Sequence, residues 1–282
     1  MKLISSKTFI AAGLIALTFA ACKKDEFKPS STETVSIAAE NATAEDVTTD
    51  GFNELNVAAQ TNLESGLSMA SASSVATETV TPGQECYVWS VTRANTNNGF
   101  PKTVTLDFGA GCTKENITRK GKITAVYNAP FYTPGATVTI TFDNYSVNDI
   151  VINGTKKVTN VTQQGGNFKF EVKVEKIMVK DTVEATWSST RIYELVRNTA
   201  NWKESYFKIT GSANGVNKKG HAYTATIKEP LIKYFNCPCV SKGTIEVKAG
   251  DKTAMIDFGT GVCDRTATVT IGDKTVEIKI KH

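Results

Sequence analysis

Histidine is almost missing from this chain of 282 residues, which holds only His221 and His282. Zinc sites built on imidazole and nucleophiles activated by histidine therefore have little to draw on. Proline is sparse at seven residues and tryptophan at three, so collagen-like and Pro-rich architectures are excluded. No Gly-rich phosphate loop occurs. The two Asp-Phe-Gly triplets at 107–109 and 257–259 stand without the His-Arg-Asp loop or helical lobe that gives this triplet a magnesium-holding role in kinases. Lysines are spread along the chain rather than clustered among aromatics, which leaves nucleic-acid binding without support. Beyond residue 21 no apolar run is long enough to span a bilayer.

What is present begins with an address. Lys2 and Lys7 precede an apolar stretch from Phe9 to Ala16 that continues through Leu17 and Phe19, and small residues Ala20 and Ala21 stand just before Cys22. This pattern predicts a secretory signal peptide over residues 1–21. A cysteine directly after small residues offers a thiol for lipidation, so Phe19-Ala20-Ala21-Cys22 reads as a lipobox and Cys22 as the lipidated first residue of the mature protein. The following Lys23-Lys24-Asp25-Glu26 resembles the short acidic signal that sends Bacteroidota lipoproteins to the outer face of the outer membrane. The expectation is an outer-membrane, surface-exposed lipoprotein whose membrane partner is reached through an N-terminal lipid anchor.

From residue 22 to 80 the composition turns to Ser, Thr, Ala, Asn and Glu, and residues 23–80 hold three lysines against ten acidic residues, a net charge of −7. Such a segment is expected to be a solvated, flexible tether. Phe52, Leu55, Ala59 and Leu63 recur at helical spacing behind Thr49 and Asp50 as candidate N-caps, which predicts one short helix within it. The chain carries +4 in total, so residues 81–282 carry +9 once the leader's two lysines are set aside.

The period of residues 81–282 is two. Phe168, Phe170, Val172 and Val174 alternate with Lys169, Glu171, Lys173 and Glu175, and the phase slips at Ile177 as a β-bulge would make it. Trp187, Tyr193 and Leu195 share one parity, as do Val138, Ile140 and Phe142, and Tyr223, Ala225 and Ile227. Asn153-Gly154, Gly165-Gly166, Gly250-Asp251 and Gly272-Asp273 are placed as hairpin turns between the runs. The fold class predicted is all-β, an antiparallel meander or sandwich of roughly a dozen strands behind the lipoprotein signal and tether.

Two segments of this body match. Residues 103–112 read Thr-Val-Thr-Leu-Asp-Phe-Gly-Ala-Gly-Cys and residues 253–263 read Thr-Ala-Met-Ile-Asp-Phe-Gly-Thr-Gly-Val-Cys. Cys86 lies 26 positions before Cys112, and Cys237 lies 26 positions before Cys263. For an exported chain the equal spacing predicts two equivalent disulfides, Cys86–Cys112 and Cys237–Cys263, within an internal repeat over about 86–127 and 237–281. Cys239 is left over; three cysteines without a nearby histidine favour a disulfide plus a spare thiol over a soft-metal site. Asp107 and Asp257 fall just ahead of Gly-x-Gly and are expected to accept hydrogen bonds from turn amides.

The lipobox, the paired Asp-Phe-Gly-x-Gly and cysteine elements and the all-β body together resemble a group of outer-membrane lipoproteins found in Bacteroidota. The resemblance covers the chain from about Gly83 onward. It implies a location and an architecture, and lends no substrate, cofactor, metal or active residue. The function expected is non-enzymatic, a binding or structural role in the cell envelope. Trp89, Trp187, Trp202, Tyr193, Tyr206 and Tyr223 keep open a glycan-binding module or adhesin that contacts envelope or environmental polysaccharide. A hydrolase using paired carboxylates is the least favoured class, since no pair stands out.

Overall fold

The computed structural model describes residues 27–64, 78–80, 87–94, 99–114, 116–180 and 183–280. Among these residues it holds one α-helix, α1 (Ser31–Glu64), a short 3-10 turn at Trp202–Glu204, and fifteen strands: β1 (Glu78–Val80), β2 (Val88–Arg93), β3 (Lys102–Asp107), β4 (Cys112–Lys114), β5 (Ile117–Tyr127), β6 (Thr137–Val147), β7 (Ile150–Asn160), β8 (Lys169–Lys180), β9 (Glu184–Val196), β10 (Tyr206–Val216), β11 (Ala222–Tyr234), β12 (Lys242–Ala249), β13 (Lys252–Thr260), β14 (Thr266–Ile271) and β15 (Lys274–Lys279). Fourteen of these follow one another across a single antiparallel sheet in chain order, with β4 paired to the side of β5. The predicted antiparallel meander is the observed architecture.

Its local rules follow from the alternation. In β6 the buried side chains of Val138, Ile140 and Phe142 point to one face and the intervening threonines to the other. The phase slip expected at Ile177 is a register shift in the β8–β9 pairing between Val174 and Ile177. Turns lie at Gly165-Gly166, Gly250-Asp251 and Gly272-Asp273, between β7 and β8, β12 and β13, and β14 and β15. Asn153-Gly154 is different: it lies inside β7, and the hairpin from β6 to β7 turns at Asn148 and Asp149, whose φ angles are 45° and 69°. Gly154 instead sits at a bulge with φ 137°, where a Cβ would stand 2.7 Å from both the Lys176 carbonyl oxygen and Ile177 Cγ2. A positive φ serves a tight turn and a close backbone approach equally well, and here it serves the second.

The larger correction concerns the acidic segment. Residues expected to be a solvated tether with a short helix form the 34-residue α1, and its middle turns are the centre of the core. Ala44 to Phe52 are all buried, and nine successive residues at 100° per step cover every side of a helix. The sheet therefore curls around α1. The helix starts earlier than expected because Ser30 Oγ accepts the Glu33 N–H at 3.1 Å and caps the first turn. Thr49 and Asp50, expected as caps, are interior: Thr49 Oγ1 lies 3.2 Å from the Tyr193 hydroxyl, and Asp50 accepts from Arg119.

A buried helix rich in carboxylates needs counter-charges, and the strands supply them on their inward parity. Arg119 of β5 gives Asp50 two hydrogen bonds, at 2.8 and 3.2 Å, and the Tyr145 hydroxyl adds a third at 3.0 Å. Arg191 of β9 grips Glu45 with Nε at 3.3 Å and Nη2 closer still, both side chains being 1 % exposed. Asp46 accepts the Val240 N–H at 3.1 Å. The Lys156 ammonium donates to the Thr48 carbonyl at 2.9 Å and lies over the rings of Phe52 and Tyr193. Around Phe52 the rings of Phe131, Tyr193 and Phe207 close an aromatic cluster with centroids 5.6 to 6.4 Å away. The ion pairs fix where the helix sits; the rings supply the apolar burial that holds it there.

Candidate functional site

The first half of α1 does not fill its space. Ser36, Ala39, Thr43 and Ala44 fall at steps of three, four and one, on the face of the helix that looks at β7, β8 and β9. Small side chains on that face leave a cavity of about 220 Å³ between helix and sheet. Its sheet wall is mostly apolar: Ile150 of β7, Val179 of β8, Ala185 and Trp187 of β9, and Tyr223 of β11, with Thr186 of β9 among them. Lys279, at the end of β15, also lines it, so the last strand comes round to face β7–β9 across the cavity.

Register explains the aromatic part of the wall. Gly215 of β10 pairs with Trp187 on one side and Tyr223 on the other. The Tyr223 ring lies across the glycine, so that a Cβ at 215 would meet the phenol hydroxyl at 2.5 Å. Trp187 is held by a hydrogen bond from its indole Nε1 to Asn41 Oδ1 at 3.1 Å. Burial, with the Glu40 and Glu45 carboxylates next, raises the Tyr223 phenol above its ordinary range, so it stays a neutral donor.

Among the described residues, three charged residues line the cavity: Glu40, Lys218 and Lys279. Glu40 is engaged by its own fold, with Oε2 accepting the Lys218 main-chain N–H at 3.1 Å and Oε1 accepting from Ser36 Oγ at 3.4 Å. Lys279 is exposed and marks the side that opens to solvent. Among the described residues its lining contains no second carboxylate, no cysteine and no histidine.

Of the residues singled out in the sequence, Trp187 and Tyr223 line the cavity and the others fall elsewhere. Cys237 and Cys263 are bonded, with Cα atoms 5.9 Å apart. Cys112 is disulfide-bonded as well; Cys86, expected as its partner, and Cys22 lie outside the described residues. Cys239 keeps a free, buried thiol. Its Sγ is 3.5 Å from that of Cys237 and 3.8 Å from that of Cys263, but with those two joined the group presents one thiol. Burial raises that thiol above its ordinary range.

Asp107 and Asp257 make matching turns: Asp107 Oδ1 accepts the Gly109 N–H at 2.9 Å and Asp257 Oδ1 accepts the Gly259 N–H at 2.8 Å. The Gly109 amide, helped by Lys122, holds the Asp107 carboxyl below its usual range. Trp89, Trp187, Tyr193 and Tyr223 are buried to 7 % exposure or less, while Trp202 and Tyr206 are half-buried. His221 follows the turn before β11, as its neighbours suggest; its ring also stacks on Phe27 at 3.8 Å and its Nδ1 lies 3.1 Å from Glu33 Oε1.

The cavity residues Glu40, Lys218, Lys279, Ile150 and Val179 were not singled out by sequence reasoning. One trace was readable: the stripe Ser36, Ala39, Glu40, Thr43 is one face of a helix, but only once a helix is known to be there. Comparison with protein-family models, with curated proteins and with solved structures finds no match for the chain, and the reading of the cavity rests on its own chemistry.

Proposed function

We propose that this is a non-enzymatic outer-membrane lipoprotein of the cell envelope whose work is binding, with the helix–sheet cavity as its site. The observation that carries the reading is the lining of that cavity among the described residues: an apolar wall with Trp187 and Tyr223, Lys279 at its open side, and one carboxylate, Glu40, that accepts from a main-chain amide. Concave, mostly apolar sites with a few placed polar groups are the usual form of small-ligand sites. The glycan reading is weakened by the burial of four of its six aromatic platforms.

The anchor belongs to the same proposal. A thiol at Cys22 carrying more than one acyl chain accounts for stable membrane retention, which one chain does not give. Two experiments test the whole. Cys22→Ala protein is expected in the soluble fraction, and its full partition with membranes would refute the anchor. The soluble protein, screened against envelope and dietary polysaccharides and small amphiphiles, is expected to give no product; turnover abolished by Glu40→Gln with folding intact would overturn the non-enzymatic reading.

A further inference from the structure

We infer that, once the Cys237–Cys263 disulfide is reduced, Cys237, Cys239 and Cys263 form a three-thiolate site for a soft metal ion of the zinc and cadmium class. The inference is independent of the cavity and its binding role. It starts from a surplus sulfur. The first copy of the repeat has Cys86 where the second has Cys237, and two positions further on it has Val88 where the second has Cys239. Cys112 of the first copy is disulfide-bonded although the position matching Cys239 holds a valine, so the cysteine frame does not require a third thiol. Cys239 is added in the second copy alone, and it is added against the disulfide.

Geometry comes next. Three thiolates at corners of a tetrahedron around zinc, each at about 2.3 Å, stand about 3.8 Å from one another. Cys239 Sγ already stands 3.5 Å from that of Cys237 and 3.8 Å from that of Cys263. The third edge is the disulfide itself, and reduction opens it. A dithiol supplies two electrons and two protons, leaves as its own disulfide, and frees Cys237 and Cys263 as thiols; the metal ion then displaces one proton from each of the three to solvent. Cys263 is exposed on the loop between β13 and β14, so a reductant reaches the bond and a water can take the fourth position on the metal. The Cys-Pro-Cys backbone is fixed beforehand, by Lys233 Nζ on the Cys237 carbonyl at 2.8 Å and by Asp46 on the Val240 N–H. Burial and the Asp46 carboxylate disfavour the Cys239 thiolate, whereas the Arg265 N–H that donates to its sulfur and the Lys233 and Arg265 charges favour it. A divalent ion with three thiolates carries one negative charge, which those two cations face.

The test uses the soluble Cys22→Ala protein, reduced with a phosphine and desalted under argon, with Cd²⁺ as the probe because its thiolate complexes absorb in the ultraviolet. Titration is expected to saturate at one Cd²⁺ per chain with a dissociation constant of about 1 µM or below, and the oxidised protein is expected to show no such band. Cys239→Ser, which keeps every other cysteine, is expected to weaken binding by the reduced protein about a hundredfold or more, since loss of an outer partner alone costs about 10- to 100-fold. Zn²⁺ is expected to displace the band and to raise the melting temperature of the reduced parent, and to do neither in Cys239→Ser. Where reduction by itself unfolds the chain, Zn²⁺ is expected to restore the circular dichroism of the parent and not that of the variant. Equal binding by reduced Cys239→Ser, equal binding by the oxidised parent, or a reduced parent that Zn²⁺ neither loads nor stabilises overturns the site.

Discussion

The pair Glu45–Arg191 offers the sharpest test of where the acidic segment lies. Both side chains are 1 % exposed, and Arg191 Nη1 already has no hydrogen-bond partner among the described residues. Replacing Glu45 by Gln keeps the volume and removes the charge, leaving a guanidinium buried against a neutral amide. Breaking one side of a buried pair costs about 3 to 5 kcal/mol, because the surviving charge stays desolvated. At about 2 to 4 °C per kcal/mol for a chain of this size, the melting temperature should fall by roughly 6 to 20 °C. Replacing both residues, Glu45→Leu with Arg191→Met, removes the desolvation problem along with the attraction and should return stability to within about 1 kcal/mol of the parent. Urea denaturation of the parent, Glu45→Leu, Arg191→Met and the double variant, followed by circular dichroism and by tryptophan fluorescence, gives the coupling directly. A Glu45→Gln cost below about 1 kcal/mol is what a solvated surface pair would give, and it would refute the buried helix and restore the tether.

Three further outcomes follow from other parts of the molecule. Burial depresses the Lys156 ammonium from 10.5 to about 7, so between those values the unfolded chain holds a proton that the folded one has released. Stability should therefore rise as pH goes from about 7 to 9.5, by up to about 3 kcal/mol, and the slope should vanish in Lys156→Met; a flat profile in the parent would show that the Thr48 carbonyl and the two rings hold the charge in place. Opening the 26-residue loop with Cys263→Ser should cost about 3.5 kcal/mol by loop closure, whereas Cys239→Ser should leave the Cys237–Cys263 peptide link intact on a non-reducing map, and a new link through Cys239 in the parent would refute the pairing. Gly154→Ala should destabilise by about 2 kcal/mol or more, since the added methyl meets the Lys176 carbonyl at 2.7 Å; a neutral substitution would mean the bulge yields.

The sheet was legible because its signal is local. A strand buried on one face writes its parity into four or five residues, and the slip at Ile177 and the Asx turns at Asp107 and Asp257 needed nothing more. Asn153-Gly154 was misplaced because the dipeptide states a backbone angle and not what requires it. The helix was illegible for a different reason. A helix wrapped on all sides by a wall that is partly charged has no polar face and no apolar face, so Glu45, Asp46 and Asp50 read as solvated charges. Two signs pointed the other way: Ser30 and Glu33 at capping spacing, and Arg119, Lys156 and Arg191 on the apolar parity of their strands. Inward cations demand buried anions, and the excess of −7 in residues 23–80 was their complement. The cavity needed the positions of α1, β7, β8, β9, β11 and β15 at once, which no single stretch of sequence contains.

The placement of α1 also sets an order of events. Every strand on the sheet path pairs with its neighbours along the chain, so the sheet can zip from hairpins whose loops are short to close. The helix contacts span far greater distances in sequence: 69 residues from Asp50 to Arg119, 146 from Glu45 to Arg191, and 194 from Asp46 to Val240. The helix, which precedes the strands in the chain, is therefore seated last. A chain cut short before Val240 lacks the amide that receives Asp46 and the strands that close over the helix, and its inward arginines face an unfinished interior. Seating the helix thus works as a check on completeness, because α1 is buried only when the C-terminal strands have arrived.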